Sequence, residues 1–312
     1  MRHLKQLEIM VHEILQEAGK QGASAAEAAV STDQGLSVTV RMGETETVEQ
    51  TRDQGLGVTV YIGQRKGSAS TTDFRASAIT ETVQKACTIA RYTSEDPCAG
   101  LGDAERMAMN YPDLDLYHPW DITVEQAAEM ALSCEQAARD SDNRITNSEG
   151  ATLNTHSGSF IYGNTQGFVG GYPFSRHSLS CMVMAQDGES MQRDYWYDSS
   201  RLPEQLGTPV SIGQEAADRA IRNLHSRKLS TRHSPVIFRA DIAPGLLMGL
   251  VSAVSGQAQY RKSSFLLDSL HQQLFPQWVR IHENPLLPRG ISPPRISATM
   301  REWAVEQTEK TR

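Results

Sequence analysis

Asp33-Gln34-Gly35-Leu36-Ser37-Val38-Thr39-Val40 returns almost unchanged twenty residues later as Asp53-Gln54-Gly55-Leu56-Gly57-Val58-Thr59-Val60. In the first stretch Leu36, Val38, Val40 and Met42 alternate with small or polar residues, and Leu56, Val58, Val60 and Ile62 do the same in the second. A period of two puts every apolar side chain on one face, the pattern of a half-buried strand. Two copies are too few for a solenoid, which needs about three or more. The duplication therefore predicts two neighbouring strands, 36–42 and 56–62, in one antiparallel sheet.

Working outward, Leu4, Leu7, Val11, Ile14, Leu15 and Ala18 recur at three- and four-residue steps before Gly19 and Gly22, which predicts an amphipathic opening helix. A turn at Gly63 leads into a small-residue strand ending near Thr72. Residues 76–92 then read as a helix with Ile79, Val83, Ala86, Ile89 and Ala90 on one face. Pro97, Pro112 and Pro119 keep 96–120 irregular. Thr123 has the character of an N-cap, with Glu125 and Gln126 behind it, for a helix that ends near Asp140. Three short β-type runs follow at 144–153, 160–169 and 179–185. They predict a second sheet or an extension of the first, with Gly150, Gly158, Gly163, Gly167, Gly170 and Gly171 serving tight β-turns. Residues 213–224 read as a polar helix, Arg227 to Arg232 as an exposed linker, Pro235-Val236-Ile237-Phe238 as a short buried strand and 243–258 as a helix.

The chain has 312 residues, which at roughly 150 per domain predicts two domains, divided near residue 230. A net charge of -7 with no basic stripe argues against direct nucleic-acid binding, which needs clustered cations to displace counterions. Cys87, Cys98, Cys134 and Cys181 form neither a metal knuckle nor a disulfide framework, so free thiols and a cytoplasmic setting are expected. The N-terminal octet mixes charges into its apolar positions, unlike an export signal. The uncharged window from Ile242 to Tyr260 carries Pro244, glycines and polar residues, and reads as buried in protein rather than in a membrane.

Chemistry is sparse. His12-Glu13 and His282-Glu283 each lack a second imidazole at helical spacing, so both read as solvated surface. There is no G-x-S-x-G elbow, and Ser157-Gly158-Ser159 and Ser252 to Gly256 read as turn and packing residues. The glycines between 150 and 171 lack the G-K-[ST] of a phosphate loop. Asp187, Glu189, Asp194 and Asp198 surround Tyr195-Trp196-Tyr197, which suggests an exposed hairpin with cross-strand aromatics or a grip for a peptide.

Gln54 to Tyr61, Asn147-Ser148-Glu149-Gly150 and above all Tyr260-Arg261-Lys262-Ser263-Ser264-Phe265-Leu266-Leu267 resemble the PmbA/TldD family, in its PmbA or TldE branch. The resemblance runs from about residue 3 to about residue 291. It implies an α+β fold: an N-terminal α/β domain over 1–230, whose antiparallel sheet is covered by helices, and the start of a β-rich C-terminal domain over 231–291. Residues 292–312 form a divergent tail, expected from a reading-frame shift or a genuine short variant. The function implied is that of a cytosolic heteromeric protease acting on peptides and unfolded polypeptides, with ties to microcin maturation, antitoxin degradation and DNA gyrase modulation. TldD-like chains carry an H-E-x-x-x-H motif that holds zinc, and here its three functional positions fall on Met248, Gly249 and Ala253. A thioether is a poor zinc ligand and the other two offer no side-chain donor. The resemblance thus implies a non-catalytic chain without its own cofactor, beside a TldD-like partner that carries the zinc. A metallopeptidase in its own right and an inactive truncated product are the alternatives.

Overall fold

The computed structural model describes residues 2–106, 111–282, 284 and 286–291. Helix α1 (Arg2–Lys20) precedes a long hairpin of β1 (Ala25–Arg41) and β2 (Glu44–Ile62), which is followed by β3 (Arg65–Thr71) and α2 (Ala76–Tyr92). Helix α3 (Val124–Arg139) then leads to β4 (Ile145–Asn164), β5 (Val169–Asp187), β6 (Ser190–Ser200) and α4 (Pro209–Arg222). The two remaining helices are α5 (Pro244–Val254) and α6 (Gly256–Tyr260). The chain divides into one compact unit of residues 1–226 with 283–312, and a second of residues 227–282. No helix among the described residues is long and apolar enough to cross a membrane.

In the first unit all six strands form one antiparallel sheet, in the order β3-β2-β1-β4-β5-β6. The duplicated stretches do lie side by side, in antiparallel register with Asp33 opposite Asp53. The even-numbered residues of β1 build two cores on the same face. Ala26, Ala28 and Val30 pack with Leu56, Val58, Val60 and Ile161 under α1 and α2. Leu36, Val38 and Val40 pack with Leu153, Leu179 and Val183 under α3 and α4. Close packing of the second helix pair rests on Ala127, Ala131, Ala138, Ala216, Ala217 and Ala220, and on Gly213, where a Cβ would strike the Cys134 carbonyl.

Between the two cores the same face is polar. Thr32 and Gln34 interrupt the apolar alternation of β1, facing Ser159 and Ser157 of β4. Farther across, the segment 111–120 covers Ser175 and His177 of β5. The Ser175 amide donates to the Leu116 carbonyl (2.9 Å), and the Ser175 hydroxyl accepts from the His118 amide (2.8 Å). Buried Arg201 donates to the carbonyls of Ser175 (2.8 Å), Gly290 (2.7 Å) and Ile291 (3.2 Å), which ties residues 290–291 to this unit.

Capping is explicit where the sequence signals it. The Thr123 hydroxyl accepts from the Gln126 amide while the Gln126 side chain accepts from the Thr123 amide, a reciprocal capping box. The β1–β2 turn has positive φ at Met42 and Gly43, as a two-residue hairpin demands. Its two amides donate to the buried Glu135 carboxylate of α3 at 2.7 and 2.8 Å.

Several expectations need correction. The three β-runs after residue 144 fall on only two strands, of 20 and 19 residues, with β6 beyond them, and of the two arrangements expected it is the extension of the first sheet that is found. Of the six glycines read as turn residues, only Gly167 lies in a turn between strands. Gly158, Gly163, Gly170 and Gly171 are inside β4 and β5, and Gly150 sits at a register shift with φ +105°. Residues 235–238 form no strand, and Val236 and Ile237 are 68% and 93% exposed. The 242–260 window is helical over much of its length, but Ile242, Leu246, Leu247, Met248 and Val251 are exposed rather than buried. No strand is described in residues 227–282 against which they could pack. The tail 292–312 lies outside the described residues.

His177 gives the polar seam a pH dependence. Its Nε2 lies 2.9 Å from the His118 carbonyl, which can only accept, so Nε2 carries the proton and Nδ1 accepts from the Thr155 hydroxyl at 2.7 Å. Burial pushes this imidazole below its ordinary value of 6.5. The unfolded chain therefore takes up the proton first, so the contribution is complete above the ordinary value and is lost as pH falls through it. Between about pH 7 and pH 5 the melting temperature of the wild type should fall more steeply than that of His177→Gln, a neutral donor and acceptor. Parallel curves from calorimetry would contradict this assignment.

Candidate functional site

The degenerate motif lies on α5, which starts with Pro244 at its first turn, where a missing amide costs nothing. Met248 is 61% exposed and Ala253 only 5%, and nothing lies near the Cβ position of Gly249. The row of family-signature residues begins where α6 ends. Tyr260 closes that helix, Arg261 is its C-cap and Lys262 is left-handed with φ 52°. The Ser263 amide donates to the Ala258 carbonyl (2.9 Å), and the Ser264 hydroxyl donates to the Ala253 carbonyl (2.7 Å). Phe265 is exposed. The signature is thus joined to the motif helix by the Ser264 side chain on the Ala253 carbonyl, with no hydrogen bond to Met248 or Gly249 among the described residues.

This row does not fit a zinc ion. Helix α5 carries no ionisable side chain, and no group of three His, Cys, Asp or Glu that could hold a metal occurs among the described residues. His12 and Glu13 are exposed on α1, and His282 is exposed in the second unit. The four cysteines are free thiols, with Cys98 exposed and the others buried.

The opposite face of the six-stranded sheet carries polar chemistry that periodicity does not single out. Glu27 of β1 accepts from the Tyr61 hydroxyl (3.0 Å) on β2 and from the Tyr162 hydroxyl (2.8 Å) on β4. Burial, together with the adjacent Glu27 carboxylate, raises both phenols, Tyr162 to about 12. Beside this cluster a shallow depression of about 380 Å³ is floored by small residues, among them Ala29, Gly57, Ser68 and Ser70. Farther along the face, His156 Nδ1 lies 3.3 Å from Asp33. Phe160, Tyr172 and Phe174 form an aromatic run with ring centroids 5.9 and 6.4 Å apart. No nucleophile is paired with a base here. The arrangement can accept and donate hydrogen bonds and present rings.

The aromatic stretch on β6 is not a cross-strand pair. Tyr195 and Tyr197 stack along one strand with centroids 6.2 Å apart, while Trp196 turns to the other face beneath the Arg219 guanidinium at 5.0 Å. Three of its four acids have partners within the chain. Asp187 pairs with His225 (3.0 Å), Asp194 with Arg219 (3.5 Å), and Asp198 accepts from the Gly207 amide (2.7 Å). Leu36–Val40 and Leu56–Ile62 have no free strand edge, because β1 is flanked by β2 and β4, and β2 is flanked there by β1 and β3.

Family models for the PmbA/TldA metallopeptidase domain 1, central domain and C-terminal domain match residues 26–90, 117–224 and 231–295. The chain belongs to the PmbA/TldD family. It is 48% identical over 267 residues to the Escherichia coli protein named Metalloprotease PmbA, an alignment covering 86% of this chain and 59% of that one. It is 46% identical to the Haemophilus influenzae Metalloprotease PmbA homolog, over 88% of this chain and 61% of the relative. The chain therefore spans about three-fifths of the length of the curated relatives it matches. A crystal structure of a candidate DNA gyrase modulator from Bacteroides thetaiotaomicron superposes with a TM-score of 0.77 at 26% identity, covering 83% of this chain and 60% of that one.

The spacing of the degenerate positions generates a test. At about 100° per residue, positions 248 and 253 lie roughly 140° apart around a regular helix. Their unequal exposure reflects that separation. Installing Met248→His, Gly249→Glu and Ala253→His together should leave the chain without stoichiometric zinc in equilibrium dialysis. Retention of about one zinc per chain would show that α5 can present a metal site.

Proposed function

We propose that this chain is a non-catalytic, substrate-engaging subunit that works in the cytoplasm beside a TldD-like zinc metalloprotease acting on peptides or unfolded polypeptides. The observation that carries the reading is the row Met248, Gly249, Ala253, which stands where TldD-like chains place their metal-binding histidines and glutamate. Family membership supports a place in a protease of this type. The sheet face opposite α1 to α4 supports engagement of a polypeptide, since it offers rings and hydrogen-bonding groups.

A second reading, a metallopeptidase in its own right, is favoured by the name that the curated relatives carry. Metal content and activity separate the two. The purified chain should contain no stoichiometric zinc and leave an unfolded casein-type substrate intact, and it should co-elute with a purified TldD-like subunit. Chelator-sensitive cleavage by the chain alone, with about one zinc per chain, would favour the second reading. Failure to co-elute would remove the subunit role.

A further inference from the structure

Among the described residues the outer half of β2 is an unpaired sheet edge. Strand β3 reaches only Leu56–Ile62, whereas β2 begins at Glu44, and no described main-chain segment bonds the outward edge of Glu44–Asp53. Every residue from Glu44 to Gln54 is exposed. The Gln54 side chain closes the far end by donating to the Thr72 carbonyl (2.8 Å). What remains open is about ten residues, roughly 30 Å of strand. The stretch is already held extended, because its other edge is paired to β1 throughout. It has no proline, lysine or glycine, and its one register shift is near the turn, so its guard against pairing with a like edge is its carboxylates.

Its charge selects the occupant. Glu44, Glu46, Glu49 and Asp53 face one cation within the stretch, Arg52, and one from β1, Arg41, which stands opposite Glu44 and pairs with Glu46 at 3.2 Å. Glu49 and Asp53 lie opposite Ser37 and Asp33, on the sheet face that no helix covers. Two copies pairing edge to edge would bring carboxylates together, which opposes self-association. An extended cationic segment meets the opposite condition, with main-chain bonds along the edge and cations beside Glu49 and Asp53.

We propose that the Glu44–Asp53 edge of β2 captures an extended, basic polypeptide segment by strand addition. This deepens the substrate-engaging reading, on which it rests, by naming the chemistry of the segment and where it docks. Main-chain pairing tolerates many sequences, while the acidic edge imposes a preference for lysine and arginine at positions on the uncovered face.

The test uses the full chain alone and fluorescence anisotropy of a labelled ten-residue peptide alternating lysine with threonine or valine. Two control peptides replace lysine by glutamate or carry N-methyl groups on alternate amides. The basic peptide should bind, and added salt should weaken it. The glutamate and N-methylated peptides should bind at least about tenfold more weakly, since one loses the charge match and the other the ladder. Glu49→Lys with Asp53→Lys, checked for an unchanged circular dichroism spectrum, should weaken the basic peptide by a similar factor. Equal binding of the N-methylated peptide would reduce the effect to charge attraction and overturn the proposal. So would no binding, or an unchanged affinity in the double variant. If that variant fails to fold, the two control peptides decide the matter on the wild type. Neither result alters zinc content or co-elution, so failure here is distinguishable from failure of the subunit reading.

Discussion

Everything in the first unit hangs on β1 being paired along both edges. Its main chain is matched to β2 from Ala25 to Arg41 and to β4 from Glu27 to Val40, and its even-numbered side chains enter both cores. The two family models that meet here, over 26–90 and 117–224, therefore describe halves of one sheet. Neither half can satisfy its strands alone, because separating β1 from β4 would break one long ladder and expose two strand edges at once.

The cost of joining the halves is a polar seam on the core face. It is met by local hydrogen bonds instead of apolar packing. Ser175, His177 and Arg201 each find carbonyl or hydroxyl partners from the crossing segment and from residues 290–291. A buried polar group is tolerable only when so satisfied, and a fully satisfied network also fixes register. All four helices of this unit that cover the sheet, α1 to α4, lie on one face of it.

Much of the fold was legible from periodicity. The duplicated stretches announced the central hairpin, and α2 and the Thr123 cap of α3 follow the apolar and capping signals closely. The full length of β1 was not legible, because Thr32 and Gln34 break the alternation where the seam crosses it. The glycines of β4 and β5 misled for a related reason: a glycine inside a strand marks close approach of another group as readily as a turn. At Gly163, for example, a Cβ would press on Val11 of α1. The Glu27 cluster was invisible in sequence, since its two tyrosines stand 34 and 135 residues away and only the sheet brings them together.

The most direct test of this account is residue-resolved amide hydrogen exchange on the free chain. Amides of Ala26–Val30 and Leu36–Val40 should exchange with one common, high protection, because both belong to the doubly paired strand. Along Glu44–Asp53 protection should alternate, high for amides aimed at β1 and low for those aimed outward. Two halves of β1 with clearly different protection would show that the cores are separate units, and uniform protection over Glu44–Asp53 would show that the edge is covered. Either result would contradict a continuous sheet whose outer β2 edge is open.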